Sequence, residues 1–200
     1  LSPPTGKPVF LVVAGPNGSG KTTFAGKNSV GTRIDPDAIA KQIRLKAPES
    51  TGMTVGRAAR QMIKEHIEQG KSFTVETTFS GQQAMRDMEA ARAAGFIVKM
   101  EFIGIGSAAL SAARVADRVL EGGHSIPAED IARRFDKVMD NLARVSPLVD
   151  ELIIRDNGSR NFRLIARVKN GQIIHRANRI PGYLEKAIFE IDGHASSQGG

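Results

Sequence analysis

The segment Gly15-Pro16-Asn17-Gly18-Ser19-Gly20-Lys21-Thr22 fits the pattern G-x-x-x-x-G-K-[ST] at every fixed position. That spacing suits the capture of a polyphosphate. Gly15, Gly18 and Gly20 admit backbone conformations closed to residues with a Cβ, so successive N–H groups can converge on a phosphate at the positive end of a following helix. Lys21 can then reach the β and γ phosphates, and the Thr22 hydroxyl can ligate Mg²⁺, with Thr23 next in the same turn. The context agrees, because the apolar run Val9-Phe10-Leu11-Val12-Val13-Ala14 precedes the motif and Thr22-Thr23-Phe24-Ala25 can start a helix. The expected ligands are ATP and Mg²⁺.

Other residue types with chemical capacity follow along the chain. Asp35 suits the N-cap of a helix whose first residue is Pro36. This explains Asp35 structurally and explains Asp37 less well, since an acid in the first turn is favourable but optional. Glu76 follows the strand-like Ser72-Phe73-Thr74-Val75, and in an open parallel sheet ligands collect outside the carboxyl ends of strands. Glu76 and the adjacent Thr77 are therefore site candidates, against the alternative of a surface acid at a strand end. Arg114 and Arg118 lie four apart on one helix face, a like-charge spacing that costs roughly 0.2–0.5 kcal/mol in an isolated helix and that a bound polyanion would reverse. Two solvated arginines fit the same spacing. On the next helix Arg134 falls about 60° from Ile131 and Arg133 about 160° from it, which makes Arg134 the cleft candidate and Arg133 the solvent-facing one.

The elements that must position these residues alternate along the chain. After the first strand and helix, Thr32-Arg33-Ile34 can form a short strand, followed by a helix on which Ile39 and Ile43 lie one turn apart. Gln42 to Gly52 is polar, contains Pro48, and reads as a loop. A helix over about Thr54 to Gln69 stops at Gly70, and another over Gln82 to Ala94 closes at Gly95. Phe96 to Ile105 is a long, mostly apolar strand, and Ser107 to Glu121 a helix ended by Gly122-Gly123. His124-Ser125-Ile126-Pro127 then turns into a helix with the buried stripe Ile131, Phe135, Val138, Met139 and Leu142.

Glu151 to Ile154 resembles a last parallel strand, with Asp156-Asn157-Gly158 as the loop beyond it. Asn161 to Val168 and Gln172 to Ala177 flank Lys169-Asn170-Gly171, whose Asn-Gly is a strong hairpin signal. Pro181 to Glu190 can form a short closing helix, and a tail beyond residue 190 ends in Ser196 to Gly200, expected to be disordered. The alternation implies an α/β fold: a doubly wound, mostly parallel sheet with a C-terminal β-hairpin. Residues 1–190 are expected to form one domain.

Composition narrows the function classes. The chain has 200 residues, of which 40% are hydrophobic, enough for a buried core. No apolar run approaches the roughly 18 residues of a membrane span and no signal-peptide pattern is present, so a cytoplasmic location is expected. With no cysteine and four scattered histidines, disulfides, thiolate nucleophiles and cysteine metal sites are excluded, leaving the nucleotide's Mg²⁺ as the expected metal. A net charge of +7 suits an anionic partner, but the basic residues are dispersed and aromatics make up only 5% with no Trp, which argues against direct nucleic-acid contact.

Taken in order, these motifs resemble the zeta toxin family. The resemblance rests on the phosphate loop, Ile34-Asp35-Pro36-Asp37, Val75-Glu76-Thr77-Thr78, and Arg114-Val115-Ala116-Asp117-Arg118-Val119. It continues through Gly122-Gly123-His124-Ser125-Ile126-Pro127, Arg133-Arg134-Phe135 and Asn141-Leu142, so that it covers roughly residues 8–157. The phosphate loop alone matches many families; the order and spacing of the later motifs carry the specificity.

The resemblance implies a fold like the small-molecule P-loop kinases and phosphorylation of the 3′-hydroxyl of the sugar in UDP-N-acetylglucosamine. It further implies that Asp37 is the catalytic base, that Lys21 and Thr22 hold phosphate and Mg²⁺, and that Glu76 is the carboxylate after the third strand. Arg118 resembles an arginine that neutralises transferred charge. The family's second such arginine, before a Thr-Pro pair, is replaced by His124 before Ser125-Ile126-Pro127, and Arg134 is the candidate to supply that charge. A family arginine that contacts the nucleotide-sugar corresponds to a position near Ser80. A protein antitoxin is an implied partner. Two other readings stay open: a kinase for another metabolite or a nucleic-acid end, and a nucleotide-binding regulatory ATPase that works through a protein partner.

Overall fold

Val9–Ala14 is apolar at every position because it becomes the central strand, β1, of a seven-stranded sheet, with Val12, Val13 and Ala14 fully buried. The computed structural model describes residues 6–46, 49, 52–120, 122 and 125–197; the side chains of Asp37, Lys41, Arg44, Lys46 and residues 194–197 lie outside that description. The elements before the third strand are α1 (Lys21–Asn28), β2 (Thr32–Ile34), α2 (Pro36–Lys46) and α3 (Gly52–Glu68). Next come β3 (Phe73–Thr77), α4 (Gln83–Ala93), β4 (Ile97–Gly104), α5 (Ala108–Leu120) and α6 (Ala128–Arg144). The chain closes with β5 (Glu151–Asp156), β6 (Arg163–Lys169), β7 (Gln172–Arg176) and α7 (Gly182–Ser197).

The sheet order is β2-β3-β1-β4-β5-β6-β7, parallel from β2 through β5, with the β6–β7 hairpin added antiparallel at one edge. This is the expected α/β, mostly parallel sheet with its C-terminal hairpin. The hairpin turns through Asn170 and Gly171, both at positive φ (49° and 79°), as an Asn-Gly turn of the type that matches strand twist requires.

Alternation within the strands divides the core in two. Phe10, Val12, Phe73, Val98, Met100 and Leu152 belong to the larger cluster, packed with buried residues of α3, α4, α6 and α7. The Phe10 and Phe73 rings stack with centroids 4.4 Å apart, and Phe96 meets Phe73 edge-on at 5.9 Å. Leu11, Val13 and Ile103 form a smaller cluster with Phe24 and Ala25 of α1. The α1 side of the sheet therefore holds both a small core and, as described below, the polar groups of the site.

Several boundaries differ from the sequence expectation. The polar stretch read as a loop from Gln42 is helical through Lys46, because Gln42, Ile43, Arg44, Leu45 and Lys46 are all ordinary helix formers and nothing stops them before Pro48. Residues 47, 48, 50 and 51 of that stretch lie outside the described residues. β3 runs on through Glu76 and Thr77, since Val13 and Ala14 of β1 pair with them. The closing helix continues to Ser197, beyond the expected end at Glu190; Leu184, Ala187, Ile188 and Ile191 form a buried stripe that carries it past that point. Ser196 and Ser197 are thus helical, and residues 198–200 lie outside the described residues, as do Glu121, Gly123 and His124. Among the described residues no helix is long and apolar enough to cross a membrane.

Candidate active site

The phosphate loop joins the carboxyl end of β1 to the first turn of α1, so its N–H groups and the helix dipole face the same point. Gly15, Gly18 and Gly20 all have positive φ (145°, 69° and 93°). At two of them a side chain is also excluded by space. A Cβ on Gly15 would lie 2.1 Å from the Ile103 carbonyl oxygen, and one on Gly20 would lie 2.7 Å from Asn157 Nδ2. Pro16 O accepts from Ser19 N at 3.3 Å and from Lys21 Nζ at 2.8 Å, which folds the lysine over the loop. Asn17 O accepts from Ser111 Oγ of α5 at 2.6 Å. Ser19 is fully buried, and its Oγ has no hydrogen-bond partner. Thr23 is exposed in the first turn of α1.

Parallel register turns Glu76 toward α1. It pairs with Val13 and shares that residue's face, so its carboxylate lies under the helix N-terminus instead of beyond a strand end. Glu76 is 4% exposed, and its charge is matched on both oxygens: Thr22 Oγ1 donates to Oε2 at 2.9 Å and Arg33 Nε to Oε1 at 2.5 Å. Arg33 also reaches Asp35 Oδ2 through Nη2 at 3.2 Å. Asp35 caps α2 as expected: its Oδ1 accepts from Ala38 N at 3.4 Å and its carbonyl from Ile39 N at 3.0 Å. Asp37 stands in the first turn of that helix, and its side chain lies outside the described residues.

Thr22 Oγ1 and Glu76 Oε2 lie together beside the loop. Among the described residues no group of three or more His, Asp or Glu is arranged to hold a metal ion. Two hard oxygens are what Mg²⁺ takes from a protein when phosphates and water complete its shell, so the pair fits that ion.

The other wall comes from the turn after β5. Asn157, 4% exposed, sends Nδ2 to Ser19 O at 2.8 Å and accepts from Phe162 N on Oδ1 at 3.3 Å. Arg160 and Phe162 in this turn both have positive φ (60° and 48°). The Phe162 ring packs against Phe24 with centroids 5.6 Å apart, and Arg155 lies over Phe24 at 5.4 Å. Arg114 Nη2 donates to the carbonyls of Asn157 and Gly158 at 3.0 and 2.7 Å, and burial followed by the neighbouring Arg160 charge holds its pKa below the usual guanidinium value. Tyr183 of α7 donates to Asp156 Oδ1 at 2.7 Å, and burial, then that carboxylate, pushes its pKa far up.

The β3–α4 connection carries Thr77, Thr78 and Ser80. Thr77 Oγ1 accepts from Phe79 N at 3.0 Å, and the hydroxyls of Thr78 and Ser80 lie 3.2 Å apart. Phe79 is buried at φ 60°, and Asn141 of α6 holds this turn by donating to Phe79 O at 2.8 Å and Gly81 O at 3.5 Å, while accepting from Gln82 Nε2 at 3.2 Å. Arg134 of the same helix is half-buried, whereas Arg133 is exposed and paired with Asp130 at 2.5 Å. Arg118 is exposed on α5, so of the two arginines spaced four apart the fold brings Arg114 alone against the β5 turn. An apolar cavity of about 510 Å³ lies apart from the loop, between α5 and α6, lined by Val115, Val119, Ile126 and Ile131 among others.

Sequence reasoning missed Arg33 and Tyr183 as site-supporting groups, and quoted Asn141 only within the family resemblance, with no role. For Arg33 the signal was a cation placed two residues before Asp35 within a three-residue strand. Nothing in spacing shows that Asn141 or Tyr183 reaches a loop dozens of residues away.

Comparison with known proteins identifies the family and the fold. The Zeta toxin family model matches residues 2–165. A relative, an uncharacterized protein of Haemophilus influenzae, is 39% identical over 125 residues, covering 62% of this chain and 89% of its own. A chain from the PezAT chromosomal toxin–antitoxin system of Streptococcus pneumoniae superposes with a TM-score of 0.63 at 16% identity, covering 94% of this chain and 88% of that one. A chain of the AvrRxo1-ORF1:-ORF2 complex with ATP gives 0.70 at 15% identity, with 94% of this chain and 64% of that chain covered. Phosphate loop, acidic helix start, strand-three glutamate and arginine-bearing helices thus occur together in a chain that belongs to the zeta toxin family.

Proposed function

We propose that the protein is an ATP-dependent kinase that transfers the γ-phosphoryl group to a hydroxyl of a small molecule. The observation that carries this reading is the Thr22–Glu76 pair beside the phosphate loop, 2.9 Å between oxygens; Thr22 lies in the first turn of α1 and Glu76 on β3, whose neighbour β2 leads into the helix bearing Asp37. A passive nucleotide switch needs no carboxylate at the acceptor side, whereas phosphoryl transfer needs a proton acceptor and charge neutralisation.

In this mechanism Gly15 to Thr23 bind the triphosphate through main-chain N–H groups, and Lys21 swings from Pro16 O to the β and γ phosphates. Thr22 and Glu76 would hold Mg²⁺, which when bound would neutralise charge on the phosphate oxygens. Asp37 accepts the proton of the acceptor hydroxyl as its oxygen bonds to γ-phosphorus and the bond from γ-phosphorus to the β–γ bridging oxygen breaks, releasing ADP. Arg118 and Arg134 stabilise the transferring group, and Thr77, Ser80 and Arg114 border the acceptor and nucleotide. Positioning and electrostatics supply the acceleration.

A nucleotide-sugar such as UDP-N-acetylglucosamine is the proposed acceptor, by family membership. In that reading Ser80 stands where the family's arginine contacts the nucleotide-sugar. A cytoplasmic location and a protein antitoxin are proposed on the same ground, the latter supported by the toxin–antitoxin system to which the PezAT chain belongs.

The test is ATP turnover with Mg²⁺, with and without UDP-N-acetylglucosamine, with products identified by mass. A phosphorylated nucleotide-sugar is expected. ADP and free phosphate with unmodified sugar would reject this acceptor, and turnover indifferent to any hydroxyl compound but sensitive to a protein partner would favour the regulatory ATPase.

A further inference from the structure

Arg33 sits where no role has been assigned to a cation. It pairs with Thr74 in the β2–β3 register and shares the face from which Glu76 projects two residues further on. Its side chain is 31% exposed, against 5% for Glu76 and 17% for Asp35. The two carboxylates it bridges belong to different halves of the site. Glu76 lies beside Thr22, and Asp35 caps the helix that begins with Pro36 and Asp37.

The division of labour on Glu76 is specific. Oε1 is taken by Arg33 Nε at 2.5 Å and Oε2 faces Thr22 Oγ1 at 2.9 Å. A guanidinium is always charged, so a buried carboxylate in this setting stays compensated whether or not a metal is present. The same positive charge opposes an arriving cation. A divalent ion approaching Glu76 alone meets one carboxylate oxygen not held by the guanidinium, the hydroxyl that donates to it, and a fixed cation, whereas an ion arriving with a triphosphate brings its own anionic ligands.

We infer that Arg33 is a positioning residue that occupies one oxygen of Glu76 and holds the divalent-ion site closed to free cations, so that Mg²⁺ enters with the nucleotide. Through its second arm to Asp35 it also fixes the start of α2 relative to that site. This rests on the kinase reading only for the identity of the nucleotide; the free-cation behaviour is a property of the four side chains.

The test uses Mn²⁺ as the probe, followed by electron paramagnetic resonance, on the full chain and on Arg33→Met, Arg33→Gln and Arg33→Lys. In the wild type, Mn²⁺ without nucleotide is expected to bind weakly, and affinity to rise on adding ADP. Loss of the guanidinium in Arg33→Met or Arg33→Gln is expected to tighten free Mn²⁺ binding by about tenfold, the order expected when a nearby unit charge is removed from a partly solvated site. Arg33→Lys, which keeps the charge, stays near wild type. Adding Glu76→Gln to Arg33→Gln is expected to abolish the gain, which a purely structural role for Arg33 would not predict.

Circular dichroism identifies any variant that has not folded, and the wild-type measurement stands without variants. Tight binding of free Mn²⁺ by the wild type, or an unchanged free-ion affinity in a folded Arg33→Met or Arg33→Gln, overturns the inference. Failure of the wild type to bind ADP under any condition would instead count against the kinase reading, with the free-ion comparison still deciding the role of Arg33.

Discussion

Asn157 Nδ2 donates to the Ser19 carbonyl oxygen at 2.8 Å, joining the turn after β5 to the phosphate loop across 138 residues of sequence. The same side chain receives Phe162 N on its Oδ1 at 3.3 Å, and its own main-chain N–H donates to Gly104 O at 2.9 Å. A buried amide thus fixes loop, sheet end and turn relative to one another.

Asn157→Ala is therefore expected to leave the Ser19 carbonyl and the Phe162 N–H without these partners, at a cost of about 1–3 kcal/mol in unfolding free energy. Nucleotide affinity is expected to fall with it, because the loop loses its backing. Urea unfolding and calorimetric titration with ADP read the two effects separately. Wild-type affinity in a folded Asn157→Ala chain would show that the loop holds its shape unaided.

Asp37→Asn is expected to lower phosphoryl transfer by about 10²–10⁴, the usual contribution of a general base, while leaving nucleotide binding nearly intact. Lys21→Ala is expected to weaken binding as well as turnover, because in the proposed mechanism Lys21 would meet the phosphates in both ground and transition states. Steady-state rates and equilibrium binding on both variants separate the roles. Normal turnover in Asp37→Asn would remove that residue from the mechanism.

Asn141→Ala removes a buried amide that makes contacts with Phe79 O, Gly81 O and Gln82. Unfolding is expected to become easier by about 1–3 kcal/mol. The turn it releases carries Ser80, so the KM for the acceptor is expected to rise while that for ATP changes little. An equal rise in both would place the effect in the whole fold.

Tyr183 is the one tyrosine of a chain without Trp, so absorbance near 295 nm reports it alone. Its pKa is raised from 10.0 by burial and then by the Asp156 carboxylate, so the native chain keeps the proton that the unfolded chain loses. The stabilisation is fully present below pH 10 and is lost progressively as pH rises above it, since the native state then binds more protons than the unfolded one. A native chain is expected to show no phenolate absorbance at pH 10, where the urea-unfolded chain is half ionised. In Tyr183→Phe the extra loss of stability above pH 10 that this group causes is expected to disappear. Half-ionisation near pH 10 in the folded chain would mean that Tyr183 is not held in the Asp156 contact.

Much of the site was legible from one-dimensional spacing. The phosphate loop, the Asp35 cap with Pro36, the Asn-Gly hairpin turn and the stripe of α6 depend on local backbone geometry, and residues a few positions apart encode it. The stripe of α6 set Arg134 nearer the buried face than Arg133, and Arg134 is half-buried where Arg133 is exposed. Glu76 was found as a site candidate but set beyond its strand. Its actual direction depends on pairing with Val13, a residue 63 positions away by numbering. Likewise α2 and α7 ran longer than expected, because whether a helix continues depends on what its next turn packs against.

The sequence by itself determined the order of the elements, the phosphate loop and the family, because propensity, glycine conformation and motif spacing are properties of short segments. Only the tertiary structure decided that Arg33 would divide itself between Glu76 and Asp35, that Asn157 would back the loop, and that Asn141 would hold the Ser80 turn. Those contacts join residues on different strands and helices. Their partners are chosen by sheet register and by the need of each buried polar group for a hydrogen bond, and neither is expressed in the spacing of residues along the chain.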